Sequence, residues 1–176
     1  STEPLSRSFR SAMADPSVTA IVFNIDSPGG SGSGVEALAN EIFKARGKKP
    51  IIAQVNSLMA SAAYWIGAAA DEIVMTPGSQ AGSIGVYALH KDMSKAADNE
   101  GVKFTFVSAG KYKVEGNSFE PLSDEARAAT QKSVDSYYSD FTNAVAKFRG
   151  VKISDVRNGF GEGRVEKDTF AVDAGM

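Results

Sequence analysis

Residues 59–86 read MASAAYWIGAAADEIVMTPGSQAGSIGV, and three local patterns follow one another in this stretch. The small and apolar residues of 60–70 predict a buried helix. Two β-rich runs, EIVMT at 72–76 and SIGVYAL at 83–89, predict strands on either side of the turn-forming residues TPGS. Helix and strand alternation of this kind is typical of an α/β protein.

The residues before this stretch continue the alternation. TAIVFNI at 19–25 predicts a buried strand, and the turn-forming DSPGG at 26–30 follows it. VEALANEIFKAR at 35–46 has its apolar residues at helical spacing, and PIIAQV at 50–55 predicts the next strand. A short helix is predicted over residues 4–15.

The residues after it predict more of the same architecture. We expect a helix over 92–100, a strand over VKFTFVS at 102–108, a long amphipathic helix from Ser123 to Arg149 and two short helices at the end. The apolar stripe of the long helix consists of Val134, Tyr138, Phe141, Val145 and Phe148. The sequence therefore predicts an α/β fold with mostly parallel strand pairing and one domain over residues 1–176.

Composition narrows the classes of function. The chain has 176 residues, 43% of them hydrophobic, which is enough for one domain with a core. The net charge of −2 and the lack of a long basic run give no indication of nucleic-acid binding. No apolar stretch approaches the roughly 18 residues that span a bilayer. The chain begins at Ser1 without a methionine, so we expect a core trimmed at both ends.

The residue types that are scarce limit the chemistry further. There is no cysteine, which excludes a thiol nucleophile and thiolate metal sites. His90 is the single histidine, so a site with several histidine ligands is excluded and a Ser-His-Asp triad would have to use it.

Ser61 is a candidate nucleophile because small residues surround it in MASAAY. A serine hydroxyl needs an adjacent base, and no histidine, aspartate or glutamate lies within nine residues of it. Two candidate bases remain open on the residues alone. His90 lies at the end of a predicted strand among charged residues, and Lys113 lies in an irregular loop after the predicted strand 102–108.

Three segments, in this order and spacing, resemble the signal peptide peptidase A family of serine peptidases. They are DSPGG at 26–30, the stretch at 59–86 that opens this section, and SAGKYKVEGNSFEPLSDEAR at 108–127. KVEGNSFEPL within the third segment resembles the branch of phage head-maturation proteases. The resemblance implies a Clp-protease/crotonase-type fold of stacked βαβ units that assemble into rings.

The resemblance also implies roles for five residues. Ser61 would be the nucleophile, and Lys113, which follows Tyr112, would be the general base in preference to Lys111. Ser83 in GSIGV would orient the lysine amine, and the backbone N–H groups of Gly30 and Ala62 would form the oxyanion hole. Ala62 and Ala63 stand where the family often has two glycines, so small residues are retained.

The sequence is accordingly interpreted as the core of a serine endopeptidase with a Ser/Lys dyad, and we expect it to cleave a peptide bond with neither a metal nor a cofactor. Its expected substrates are phage scaffold or capsid proteins, and its expected place is the prohead in the host cytoplasm. We expect a homo-oligomeric ring in which Ser61 of one protomer meets Lys113 of the next. The alternatives are a bacterial membrane-associated signal peptide peptidase, a crotonase-type acyl-thioester enzyme and an inactive assembly module.

Overall fold

Five strands and seven α-helices occur within residues 2–176, the part of the chain that this computed structural model describes. The helices are α1 (Glu3–Ala14), α2 (Val35–Ala45), α3 (Ala62–Gly67), α4 (Ser94–Asn99), α5 (Asp124–Arg149), α6 (Ile153–Gly159) and α7 (Asp168–Ala174). The strands are β1 (Ile21–Ser27), β2 (Ile51–Ala60), β3 (Glu72–Met75), β4 (Gln80–Gly82) and β5 (Val165–Lys167). A short 3₁₀ turn at Gly161–Gly163 precedes β5.

The strands form one sheet in which β2 is the central element. β1 pairs with β2 in parallel on one edge, while β3 and then β4 pair in parallel with successive parts of the other edge. β5 adds to β4 in antiparallel orientation. This topology places the carboxyl ends of β1, β2 and β4 at the same end of the sheet, where α/β proteins hold their functional groups.

Two compact units make up the chain. The first unit runs up to Gly85 and resumes at Tyr138, and it contains the whole sheet. The second unit comprises residues 86–137, with α4, a long loop and the first half of α5. These units are defined by contacts within the folded chain and do not test whether each part folds alone. The prediction of one domain over residues 1–176 therefore stays a prediction.

The core of the first unit joins the sheet to α2, α3 and the second half of α5. α2 buries the apolar face that its helical spacing predicts, including Leu38 and Ile42. Trp65 of α3 stacks on Phe141 of α5 with ring centroids 4.6 Å apart. Because aromatic stacking adds to area burial, this pair fixes α3 firmly against the core.

The second unit is built differently. Phe104 and Phe119 stack with ring centroids 3.6 Å apart, and the Nε2 atom of His90 lies 2.9 Å from the carbonyl oxygen of Asn117. Its large apolar side chains are nevertheless exposed in the single chain: Tyr87, Leu89, Val102, Phe104, Phe106, Val107, Tyr112 and Tyr137. The unit therefore has no extensive buried core of its own.

Two predicted strands are wrong. The residues from Ser83 to Leu89 lie beyond β4, which ends at Gly82, and residues 102–108 form no strand. Both segments have β-rich composition, but a strand exists only where its backbone pairs with a neighbour. Within residues 2–176 neither segment has such a partner. Ile84 is buried in the core without one, Phe104 and Phe106 contact Phe119, and Tyr87, Leu89 and Val107 are exposed.

Other boundaries differ by smaller amounts. The helix predicted over 60–70 begins at Ala62, because β2 continues through Ala60 to pair with β4. The two predicted C-terminal helices are confirmed as α6 and α7, and β5 was missed because a three-residue VEK segment carries no apolar alternation. Val134 and Tyr138 of the predicted stripe in α5 are half-buried, and its remaining members are buried.

Candidate active site

Ser61 forms the sharp turn that joins strand β2 to helix α3. Its backbone has φ 53° and ψ −123°, a conformation that residues other than glycine rarely adopt. Its N–H donates to the carbonyl oxygen of Gly82 at 2.8 Å, and its own carbonyl oxygen accepts the N–H of Trp65 at 3.0 Å. Strain of about 1–3 kcal/mol persists only where the surroundings impose it, and it concentrates at functional sites. A serine at a strained strand-to-helix turn is the geometry of an exposed nucleophile.

Ser83 lies at the equivalent place on the neighbouring strand. β2 and β4 are in parallel register with Ala60 opposite Gly82, so Ser61 and Ser83 both come directly after the last paired residues. Ser83 also has φ 53°, and its N–H donates to the carbonyl oxygen of Arg164 at 2.6 Å. The structure therefore brings these two predicted site residues together at the end of adjacent strands.

The glycine turn, residues 28–30 after β1, packs against the turn that contains Ser61. A Cβ atom on Gly29 would lie 2.7 Å from the Cβ atom of Ser61 and 2.9 Å from the nitrogen of Ala62, so the turn rests directly on the serine turn. Gly30 is exposed and Ala62 is half-buried, and in the described chain the N–H group of neither makes a hydrogen bond. The two predicted oxyanion donors are thus both available.

An open groove of about 890 Å³ runs beside these turns. β1, the glycine turn and the start of α3 line it, together with the start of α1. Val22 is 58% exposed there, and Ala62, Ala63 and Ile66 contribute small or apolar surface. The groove can therefore accept an extended chain with apolar side chains next to the glycine turn.

Tyr64 within α3 and Arg46 beyond its end hold this helix in place. Tyr64 is fully buried, and this burial raises the pKa of its phenol, so the hydroxyl stays protonated at neutral pH. Arg46 donates to the carbonyl oxygens of Ala68, Ala69 and Ala70 after α3 and to that of Phe148 near the end of α5. Partial burial lowers the pKa of Arg46, which remains a cation. One partly buried cation therefore satisfies carbonyl groups after α3 and near the end of α5.

Lys113 lies in the second unit, in the loop between α4 and α5. Its side chain is exposed, and within residues 2–176 its ammonium group makes no hydrogen bond or ion pair. Lys111 differs, because its ammonium group donates to the hydroxyl of Tyr112 at 2.6 Å and lies 3.4 Å from a carboxylate oxygen of Glu125. Of the two lysines, Lys113 is therefore the one whose amine is uncommitted.

The rival base, His90, belongs to the second unit as well. Its ring is half-buried and contacts the backbone of Asn117. In the described chain it has no carboxylate within hydrogen-bonding distance, which is the partner that orients a catalytic imidazole in a triad. This environment is typical of a structural histidine.

Sequence reasoning missed three parts of the site. The first is the contact between Gly29 and Ser61. The second is the hydrogen bond from the N–H of Ser83 to the carbonyl oxygen of Arg164. The third is the set of hydrogen bonds from Arg46 to the carbonyl groups after α3. The GG pair at 29–30 gave a signal for the first, since glycine marks places where backbones approach closely. The other two join residues that are distant in sequence, and no local pattern marks them.

The described residues contain neither a metal-site cluster nor a membrane-spanning helix. No cluster of three or more His, Asp or Glu side chains between residues 2 and 176 has the arrangement of a metal site. Among the same residues, no helix combines the length and apolar character that crossing a bilayer requires.

Comparison with known proteins gives both phage and cellular relatives. The chain is 32% identical over 165 residues to capsid assembly protease C of Escherichia phage lambda, covering 94% of this chain and 37% of that protein. It is 33% identical over 165 residues to a head-tail preconnector protein of Enterobacteria phage P21, covering 94% and 32%. The chain thus spans about a third of the length of these relatives.

A solved structure confirms the expected fold class. The chain resembles a membrane-bound stomatin-specific protease, solved in complex with a substrate peptide, with a TM-score of 0.62 at 15% identity. The match covers 99% of this chain and 66% of that one. At this identity the likeness speaks for the fold alone, and it confirms an α/β fold of the Clp-protease/crotonase type.

A family model agrees with the motifs. The model of peptidase family S49 matches residues 44–176, which include the serine turn, Ser83 and the Lys113 loop. The resemblance drawn from the segments at 26–30, 59–86 and 108–127 is confirmed by this match and by the phage relatives. This chain belongs to peptidase family S49.

Proposed function

We propose that this chain is the core of a serine endopeptidase that uses a Ser/Lys dyad. The observation that carries the proposal is the strained turn at Ser61, which lies next to the groove-lining residues Gly30 and Ala62, whose N–H groups are unpaired. Such a turn costs free energy that a purely structural serine has no reason to retain. Membership of family S49 supports the same assignment.

The proposed reaction proceeds in two steps. The neutral amine of Lys113 takes the proton of the Ser61 hydroxyl as its oxygen attacks the scissile carbonyl carbon. The resulting oxyanion accepts hydrogen bonds from the N–H groups of Gly30 and Ala62. The protonated lysine then gives its proton to the leaving amine as the C–N bond breaks, and a water molecule hydrolyses the ester on Ser61 by the same route.

Ser83 has a supporting role in this proposal. A lysine acts as a base only when its neutral form is favoured, by desolvation or by a nearby hydrogen-bond donor. A hydroxyl group at Ser83, one strand away from Ser61, would accept a hydrogen bond from the amine and aim it at the Ser61 hydroxyl. The uncommitted ammonium of Lys113, in contrast to that of Lys111, supports the choice of base.

The proposed substrates are phage head assembly proteins, such as scaffold or capsid protein. The support is that relatives covering nearly the whole chain are a capsid assembly protease and a head-tail preconnector protein of phages. We accordingly assign the protein to the phage prohead within the host cytoplasm.

The proposed assembly is a homo-oligomeric ring in which Lys113 of one protomer serves Ser61 of its neighbour. The exposed apolar side chains of residues 86–137 support association, since monomeric proteins rarely leave so many large apolar groups uncovered. Heterologous interfaces close into rings when the rotation between neighbours permits.

The experiment that tests the function is covalent labelling. The protein is treated with a fluorophosphonate probe, its intact mass is measured and the labelled peptide is mapped. One adduct on Ser61, together with cleavage of a phage scaffold protein that is lost on labelling, is the expected result. An adduct on another residue, or Ser61-labelled protein that still cleaves the scaffold, contradicts the proposal.

A further inference from the structure

Gly29 contacts the nucleophile turn more closely than any side chain could. A Cβ atom at this position would lie 2.7 Å from the carbonyl oxygen of Ala60, 2.7 Å from the Cβ atom of Ser61 and 2.9 Å from the nitrogen of Ala62. Real Cβ atoms essentially never make contacts this short. Two of the three neighbours are backbone atoms, which are unable to move aside by changing rotamer.

This contact joins the two turns that supply the proposed oxyanion donors. One donor is the N–H of Gly30, which follows Gly29 directly, and the other is the N–H of Ala62, against which Gly29 rests. Two donors stabilise an oxyanion only if both lie about 2.7–3.1 Å from the same point. The distance between the turns therefore sets the width of the hole.

We infer that Gly29 is a positioning residue whose missing side chain fixes the separation of the two oxyanion donors and the direction of Ser61. This inference rests on the proposed function and adds to it a residue that contributes no reacting atom and no oxyanion donor. A methyl group at position 29 would wedge the turn at 28–30 away from the turn at 60–62. Gly30 and Ala62 would then no longer converge on one atom.

The chain offers a matched control for backbone strain. Gly29 has φ +97°, where an alanine is strained whatever space surrounds it. Gly78 has φ +85°, lies in the exposed turn between β3 and β4, and has nothing within 4 Å of a Cβ atom. Gly78→Ala therefore carries the strain alone, whereas Gly29→Ala carries the strain and the contact.

A double-mutant cycle isolates the contact without any assay of activity. Gly29→Ala is made in the natural protein and in Ser61→Gly, which removes the Cβ atom on the other side, and thermal unfolding is measured for all four proteins. We expect Gly29→Ala to lower Tm more than Gly78→Ala does, and to lower it less in the Ser61→Gly background. The two backbone contacts persist, so the rescue is partial.

Kinetics then tests the positioning role. We expect Gly29→Ala to lower kcat per probe-titrated site by about 10–100-fold with little change in KM, because losing one oxyanion donor typically costs about 10²–10³-fold. Gly78→Ala should stay within about twofold of the natural protein, since surface changes away from special features are usually small. An unchanged kcat per titrated site in Gly29→Ala, or an equal fall in Gly78→Ala, overturns the inference.

The two readouts separate this inference from the proposed function. If the natural protein is never labelled at Ser61, the proposed function fails and the positioning role falls with it, whereas the Tm cycle still decides whether the contact exists. If Gly29→Ala alone does not fold, the kinetic comparison moves to Gly29→Ala molecules refolded at lower temperature and counted by probe titration. Additive Tm changes in the cycle show that Gly29 and Ser61 are not in contact and overturn the inference.

Discussion

The first unit holds Ser61, the proposed nucleophile, rigidly, whereas the second unit presents Lys113, the proposed base, on an exposed loop. Ser61 has backbone hydrogen bonds on both its N–H and its carbonyl group, and the helix that follows it is packed into the core. Lys113 has neither burial nor a side-chain partner in the single chain. Folding of the single chain therefore fixes the proposed nucleophile, and under the proposed mechanism the lysine would become a base only when another surface packs onto its loop.

The distribution of strain sharpens this contrast. The non-glycine residues with positive φ in the described chain are Ser61, Ser83 and Glu162, and all three belong to the first unit. The second unit instead carries a run of exposed apolar side chains. A strained backbone conformation persists only where the surrounding contacts hold it in place. Exposed apolar surface, in contrast, is typical of a site of protein association.

The largest expected effect is that of Ser61→Ala, which removes the nucleophile from the prepared unit. Loss of the catalytic serine costs on the order of 10⁶-fold in kcat in a serine peptidase of another fold, so activity should fall to background here. The measurement is cleavage of a phage scaffold protein alongside probe labelling. Ser57→Ala is the control, because Ser57 is an exposed serine of the same strand; full activity of Ser61→Ala would refute the assignment.

The next effect concerns the base. Lys113→Arg should be inactive, because a guanidinium group is not deprotonated in proteins and keeps a similar length and charge. Lys111→Arg is the matched control two residues away and should retain most activity, as should His90→Ala. The dyad assignment is wrong if Lys113→Arg cleaves normally while His90→Ala is dead.

A smaller effect, activity at about a quarter of the natural level, tests whether the proposed dyad is shared between protomers. Ser61→Ala and Lys113→Ala proteins are mixed in equal amounts, unfolded, refolded and assayed. If each site takes its serine from one protomer and its lysine from the next, random assembly in a closed ring restores about a quarter of the natural activity. Each parent refolded alone is the control and should give none. Well-assembled mixed rings without activity would mean that each chain carries a complete dyad.

The difference between the buried first unit and the exposed second unit also explains which helices and strands could be predicted from the sequence. The helix and strand patterns of the first unit were predicted correctly because burial of apolar residues enforces them, as with β1, α2 and β2. The strand predicted at 102–108 failed although Phe104 and Phe106 alternate well, because pairing depends on a partner and not on composition. The spacing of apolar residues was sufficient to predict the helix or strand at β1, α2 and β2, which the core encloses.

The site shows the same limit. Small residues around Ser61 marked a candidate nucleophile, yet its positive φ results from contacts with Gly82 and Gly29, which are distant in sequence. Between His90 and Lys113 the residues alone gave no decision, and the choice of Lys113 rests on resemblance. The loop of Lys113 has no tightly packed neighbours in the single chain that would reveal its role.

The smallest effect tests whether the first unit stores strain for its function. Ser61→Gly should raise the free energy of unfolding by about 1 kcal/mol, since relief of about 1–3 kcal/mol of backbone strain exceeds the roughly 0.5–1 kcal/mol entropic cost of a glycine. Ser57→Gly, at an unstrained strand position, should instead lower it by about that entropic cost. Urea unfolding of both variants against the natural protein measures the difference. A stabilised but inactive Ser61→Gly would establish that the serine turn serves function although it destabilises the fold. Equal destabilisation by both variants would show that φ 53° at Ser61 does not lower the free energy of unfolding.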